Sequence, residues 1–159
     1  MTNNPVRVRR AAAGDVDAFV ASNAALFAAD AAANEPTVNL DWPKQYGRER
    51  FLSTLGDASR LWLLAETRDG DVVGHLSGHL DGPEFHTVAV ATLGSLFVRE
   101  DFRGAGVGAQ LVDAFRDWAE DSGAGLLEVT AYVANDGARR FYVRHGFTER
   151  TVTLQRPLS

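Results

Sequence analysis

The sequence predicts an α+β fold of three-layer α/β type, with a mostly antiparallel first half and a strand-helix-strand unit in the second. Three observations predict it. Leu61 to Glu66 and Val72 to Leu80 are β-like runs on either side of Asp69-Gly70, the strongest local hairpin signal in the chain. A third β-like run ends in Leu96-Phe97-Val98 and leads into the turn Arg103-Gly104-Ala105-Gly106-Val107-Gly108. Beyond that turn, Val107, Leu111, Phe115 and Trp118 recur at helical spacing with charged residues on the other faces. With 159 residues and 45% hydrophobic content, residues 1–159 fit one domain with an ordinary core.

The remaining elements follow in order. Val6 to Arg10 alternates apolar and basic residues and predicts a short strand. Gly14-Asp15 offers a cap to an alanine-rich helix that ends before Pro36. Residues 31–46 hold two prolines and two asparagines and predict a mixed loop of the kind that walls a substrate site, with a short helix after it up to Leu55. The run from Val88 to Val98 carries Gly94 in its middle, which predicts a bulge or a close ligand approach. Gly123 closes the long helix, Leu126 to Val133 predicts a strand, Asn135 to His145 a short helix ending at Gly146, and Phe147 to Leu154 a final strand.

Bulk charge narrows the function. A net charge of -5 argues against a nucleic-acid partner, whose phosphates call for a basic face. A neutral or cationic small substrate is easier to reconcile with it. The absence of cysteine removes disulfides, thiolate metal sites and a cysteine nucleophile, so group transfer must be direct or use another nucleophile. No signal-peptide pattern opens the chain and no apolar run reads as long enough to span a bilayer, so the expected setting is cytoplasmic, with no membrane partner. The final strand and the open edges of a small sheet invite pairing between subunits, which makes a homodimer an expectation.

The glycine turn is an anion-binding device. Without Cβ atoms the backbone approaches a phosphate closely, and the first free amides of the following helix point at the negative charge. It lacks the Gly-Lys-Ser/Thr ending of a nucleotide loop, and Glu128 is a poor fit for the acid that holds a dinucleotide ribose.

The turn is followed after one strand by Asn135, Ala138, Phe141-Tyr142 and Gly146-Phe147. Together these motifs resemble the GNAT superfamily of acetyl-CoA-dependent N-acetyltransferases, whose cofactor signature is met by Arg103, Gly106 and Gly108. The resemblance implies a mixed, mostly antiparallel sheet of about six or seven strands flanked by about four helices. It implies that the amides of Gly104, Ala105, Gly106, Val107, Gly108 and Ala109 hold the acetyl-CoA pyrophosphate, beside the Arg103 cation, and that Leu96, Phe97 and Val98 offer backbone hydrogen bonds to pantetheine. It further implies that Asn135 contacts the cofactor and that Tyr142 is the general acid. Helical spacing supports the pair, because positions 135, 139 and 142 share one helix face.

Transfer to an amine needs that amine neutral and the departing thiolate stabilised. A thiol titrates near 8.5 and a tyrosine near 10, so Tyr142 can donate or share the proton. The base is open among Glu128, Glu66, His75, His79 and water. Glu128 lies seven residues before Asn135, on the strand where related enzymes place a carboxylate. His75, Ser77, His79 and Asp81 alternate onto one strand face, which is either a functional face or a solvent-covered one. His75 and His79 stand roughly 13 Å apart along a strand, too far to share a zinc ion, and no metal is expected. Asp30, Glu35, Asp41, Asp81 and Glu84 would suit a cationic amine, with Trp42 or Tyr46 as a flat wall.

Overall fold

The computed structural model describes residues 5–158. Five strands form one sheet in sequence order: β1 (Val6–Arg10), β2 (Arg60–Thr67), β3 (Val72–Asp81), β4 (Val90–Val98) and β5 (Leu126–Val129). The first three pairings are antiparallel and the last is parallel. This is the mixed, mostly antiparallel sheet expected, with five strands among the described residues instead of about six or seven. The β2–β3 hairpin closes where predicted: Gly70 takes a left-handed φ of 85° and Thr67 N–H donates to Asp71 O at 2.9 Å.

Helix α4 (Val107–Asp121) covers one face of the sheet. Its buried stripe of Val107, Leu111, Phe115 and Trp118 packs on Leu61, Leu63, Leu76, Ala91 and Leu93, so helix and strand periods meet in one apolar layer. Gly78 sits under Phe115, where a Cβ would come within 2.9 Å of the ring. On the opposite face Phe19, Phe51, Trp62 and Leu64 form a second, smaller cluster, with Phe19 edge-on to Trp62 at 4.9 Å. Phe19 belongs to α1 (Val16–Leu26) and Phe51 to α3 (Arg48–Thr54). Helix α5 (Asp136–Arg144) packs beside α4 through Phe141, whose ring lies 3.3 Å from where a Gly108 Cβ would stand.

Three differences from the sequence expectations have physical reasons. First, α1 continues through a wider turn, Phe27–Ala31, into α2 (Ala32–Asn34), giving one helical rod from Ala13 to Asn34. That rod is long and apolar enough by composition to cross a bilayer, contrary to the expectation from run lengths. It serves the core instead: Phe19, Val20 and Asn23 are buried on the sheet side. Second, the predicted loop over residues 31–46 shrinks to residues 35–41, because Pro43–Gly47 is already helical ahead of α3. Third, β5 stops at Val129, and Phe147 to Leu154 forms no strand. A strand needs a neighbour for its amides and carbonyls. The tail has no ladder partner among the described residues, and Val152 and Leu154 stay exposed.

The start of the rod is pinned electrostatically. Arg9 grips Asp15 through two parallel bonds of 2.8 and 2.9 Å, Asp15 also accepts Ala12 N–H at 2.8 Å, and Arg9 Nε lies 3.0 Å from Glu66. The Arg9 bond, against some desolvation, holds the Asp15 carboxyl down at about 2 from an ordinary 3.8. A depressed carboxylate stabilises the fold above its unfolded value and loses that contribution as pH falls through the folded one. Acid unfolding of the native chain should therefore steepen as pH falls from 3.8 to about 2. In Asp15→Asn that part of the acid limb should flatten, as read by urea unfolding at stepped pH; an unchanged limb would remove the fork from the stability account.

Candidate active site

The site begins with a defect in the sheet. Ser77 pairs with Ser95 but Gly78 pairs with Leu93, so Gly94 is an extra residue in β4, a bulge at the predicted position. β5 runs beside Val90 to Leu93 only. From the bulge onward β4 has no partner on that side among the described residues, and its backbone edge from Ser95 to Val98 is open. The predicted contact residues Leu96, Phe97 and Val98 lie on this edge. Leu96 and Val98 pack toward α4, while Phe97 turns to the α1 face beside His75.

The glycine turn lies directly beyond. Gly104 and Gly106 take φ of 80° and 84°, a left-handed backbone that other residues adopt only with strain, and nothing stands within 4 Å of either missing Cβ. Gly106 is the N-cap of α4 and offers no side-chain cap. The first helical bond runs from Gln110 N–H to Gly106 O, so among the described residues the amides of Gly104, Ala105, Gly106, Val107, Gly108 and Ala109 have no protein acceptor. Val107 is buried and anchors the turn. Arg103 Nε donates to Val98 O at 2.8 Å with its guanidinium 5.6 Å from the centre of the Phe97 ring, so one side chain ties the turn to the open edge and leaves a cation there. An open strand edge leading into an open ring of amides suits a long donor with amides along its length and a pyrophosphate at one end, as acetyl-CoA has.

Helix α5 supplies the third part. Asn135 is its N-cap, accepting Ala138 N–H at 3.0 Å and donating to Asp30 Oδ1 at 3.0 Å. Asn34 also donates to Asp30, so this carboxylate joins the end of the rod to the start of α5. Position 139, on the same face, is held outward by an Arg139–Glu149 fork. The helix ends in a reciprocal C-cap: Phe147 N–H donates to Tyr142 O and Gly146 N–H to Val143 O, with Gly146 left-handed at 91° and Phe147 against Tyr142 at 5.6 Å. The Gly-Phe pair therefore fixes Tyr142 from its own backbone. Burial, then the nearby Asp30 charge, pushes the Tyr142 hydroxyl up to about 12, so it is fully protonated at neutral pH.

The α1 face holds a second group of polar side chains. His75, Ser77 and His79 share it, His75 buried under helix and Ser77 and His79 half-buried. His75 is fully buried, and that burial lowers its pKa to about 3. Its Nδ1 bonds Ser22 Oγ and its Nε2 bonds Ser95 Oγ at 3.0 Å, and Ser95 bonds Ser77 at 2.6 Å. A chain of polar groups thus runs from α1 to the bulge. It borders a cavity of about 560 Å³ walled by Phe19, Phe27, Trp42 and Trp62 with Ser77 and Ser95 at the bulge. His79 opens into this cavity too. Glu128 pairs across the sheet with Thr92 and is exposed outside the cavity. Glu66 is bound by Arg7 and Arg9, which hold its carboxyl below its usual value. Among the described residues no metal-binding cluster of His, Asp and Glu forms.

Several residues here carry no motif of their own. Ser22, Ser95, Arg50 and Arg60 reach the site through packing and register. Only the Arg60–His79 pairing had a signal, since the Asp69-Gly70 turn fixes which β2 residues face which β3 residues. Asp30, Glu35, Asp41, Asp81 and Glu84, expected to meet the acceptor, do not line the cavity; Tyr46 lies outside it, whereas Trp42 is in its wall.

Comparison with known proteins agrees with this geometry. The acetyltransferase (GNAT) family model matches residues 27–147. An uncharacterized N-acetyltransferase of Methanocaldococcus jannaschii is 32% identical over 57% of this chain and 44% of its own length. The aminoalkylphosphonate N-acetyltransferase of Salmonella typhimurium is 31% identical over 64% of this chain and 66% of its own. The chain thus spans less than two thirds of each of these two relatives. An aminoglycoside N(6')-acetyltransferase of Stenotrophomonas maltophilia is 30% identical over 69% of this chain and 75% of its own. Among solved structures, a mutant BH1408 protein from Bacillus halodurans shares the fold with a TM-score of 0.79 at 20% identity, covering 96% of this chain and 99% of that one. The split sheet, the open glycine turn and the capped tyrosine helix all fall within the matched segment, and the chain belongs to the GNAT family of acetyltransferases.

Proposed function

We propose that this chain transfers the acetyl group of acetyl-CoA to a primary amine of a small molecule, by direct attack in a ternary complex. The observation that carries the reading is the continuity of the open β4 edge with the six unpartnered amides of the glycine turn. The relatives act, by name, on aminoglycosides and aminoalkylphosphonates, which supports a small-molecule amine as acceptor. Bound acetyl-CoA supplies an acetyl group activated as a thioester with a thiolate leaving group.

The protein's residues then divide the work. Gly104 to Ala109 and Arg103 hold the pyrophosphate, and Leu96 to Val98 align the pantetheine amides. Asn135 holds the start of α5 against Asp30 and so positions Tyr142. Tyr142, with a hydroxyl near 12 against a thiol near 8.5, stabilises the departing sulfur by donating a hydrogen bond more than by surrendering its proton. Deprotonation of the amine falls to His79 or water at the cavity, since Glu66 is engaged by two arginines and buried His75 resists protonation. Glu128, exposed on β5, is left as a base that water would have to connect.

Two outcomes test this reading. Tyr142→Phe should lower kcat by about 10²-fold, the scale of one transition-state donor, with acetyl-CoA affinity within twofold of the native value. Equal turnover would remove the donor role. Gly106→Val forces a β-branched residue into the left-handed region at a site with open space around it, so the fold should persist while calorimetric affinity for acetyl-CoA falls at least about tenfold. Retained affinity with an unchanged circular dichroism spectrum would take the pyrophosphate away from this turn.

A further inference from the structure

The cavity on the α1 face has the wrong sign for a polycation. Half-buried Arg60 and exposed Arg50 line it with His79, whose Nε2 lies 3.4 Å from Asp81 Oδ2, and no aspartate or glutamate lines it among the described residues. Net charge is -5, yet the carboxylates near other arginines are occupied elsewhere: Asp15 and Glu66 with Arg9, Asp17 with Arg48, Asp71 and Asp101 with Arg99, Glu149 with Arg139. Arg50 and Arg60 make no ion pair among the described residues. The acid closest in effect to Arg60 is Asp57, an exposed carboxylate held mainly by Ser59. Arg50 is braced instead of neutralised, its guanidinium 5.1 Å from the Trp42 ring centre, with Trp42 stacked on Phe27 at 5.9 Å.

A second observation points to a ligand in the same place. Asn23 Oδ1 and Trp62 Nε1 are both buried, both on residues lining this cavity, and neither has a hydrogen-bond partner. A buried polar atom left unpartnered costs about 1–3 kcal/mol, so such atoms are normally satisfied by protein, by ordered water or by a bound ligand. Trp62 Nε1 can only donate, and Asn23 Oδ1 can only accept. Donors from Trp62, Arg50 and Arg60 with one acceptor from Asn23 match a molecule with an acid group and an N–H group.

Register sets the spacing. Trp62, Ser77 and Ser95 form one row across the sheet at the bulge, and Arg60, His79 and Thr92 form the next row on the same face. Two residues along a strand separate these rows by roughly 7 Å. Building on the acetyl-transfer reading, we propose that the acceptor is a short aminoalkyl acid whose carboxylate or phosphate is held by Arg60 and Arg50 while its amine reaches the bulge at Ser77 and Ser95. The two cations select against polyamines and aminoglycosides, which would bring positive charge to positive charge.

The test uses the whole chain with acetyl-CoA and four acceptors: β-alanine, O-phosphoethanolamine, ethanolamine and putrescine. The expected result is kcat/KM for at least one acid ten or more times that for ethanolamine, with putrescine lowest. Comparing the two acids identifies which anion is preferred. In Arg60→Gln the acid-to-ethanolamine ratio should fall at least tenfold, chiefly through KM, and Arg60→Lys should recover part of it. Equal or better use of putrescine, or a ratio unmoved in both Arg60→Gln and Arg50→Gln, overturns the proposal. Calorimetric titration of the same four compounds separates this failure from failure of the acetyl-transfer reading. Acids that bind through Arg60 without any acetyl transfer would sink the enzyme and leave the anion site, whereas turnover of ethanolamine and putrescine alone would do the reverse.

Discussion

One extra residue in β4 organises the molecule. A sheet with a regular ladder would carry the parallel β4–β5 pairing past Leu93, and every backbone group on β4 would be spent on a neighbour. With Gly94 inserted, the strand turns away at the point where β5 ends at Val129, and the backbone from Ser95 to Val98 is left with unspent hydrogen-bonding capacity. The same residue brings Ser77 and Ser95 together on the opposite face. A Cβ at Gly94 would stand 3.2 Å from Ser77 Oγ, so a side chain there would displace that hydroxyl by a few tenths of an ångström. The open strand edge and the cavity are therefore two consequences of one irregularity.

The two faces of the sheet then serve different ends. The α4 face is an apolar layer, and at its centre Gly78 lets the Phe115 ring lie directly on the strand. That layer fixes the N-terminus of α4, and with it the glycine turn, rigidly against the strand edge. The α1 face keeps apolar anchors at Phe19 and Leu64 but admits a buried histidine, paired serines and two unneutralised arginines. Of these His75 is fully buried and costly to place in a core, whereas Arg60 is half-buried and Arg50 exposed at the rim of the cavity. Their concentration on one face beside the bulge separates stability from chemistry in the same five strands.

The sequence was most legible where backbone geometry demands particular residues. Gly106 and the Asn135-to-Phe147 motif each require a conformation or a cap that few residue types supply, so their positions could be read directly. Strand ends were less legible: Phe147 to Leu154 alternates like a strand, but alternation expresses a capacity to pair and cannot supply the partner. Charge was the least legible feature. The acidic total agrees with a neutral or cationic acceptor, but acids and bases cancel locally in ion pairs, so the total does not give the charge at any one cavity. At this cavity the charge is that of Arg50 and Arg60, visible only once register and packing are known.

Proton accounting draws the face and the bulge together. Neutral His75 has one N–H and one lone pair, so its bonds to Ser22 and Ser95 run in a single direction, and the direction propagates to Ser77. If Nδ1 carries the hydrogen, Ser95 donates to Nε2, Ser77 donates to Ser95, and a Ser77 lone pair is left to accept an amine N–H. If Nε2 carries it, the order reverses and Ser77 presents its own hydrogen to the cavity. Burial that lowers the imidazole to about 3 disfavours imidazolium as a resting state, so a proton entering at one ring nitrogen must leave at the other. A histidine too deeply buried to be a conventional base thereby sets the direction of the hydrogen-bond chain that ends at Ser77, and its far contact, half-buried Ser22 on α1, is where that chain meets the outer layer of the fold.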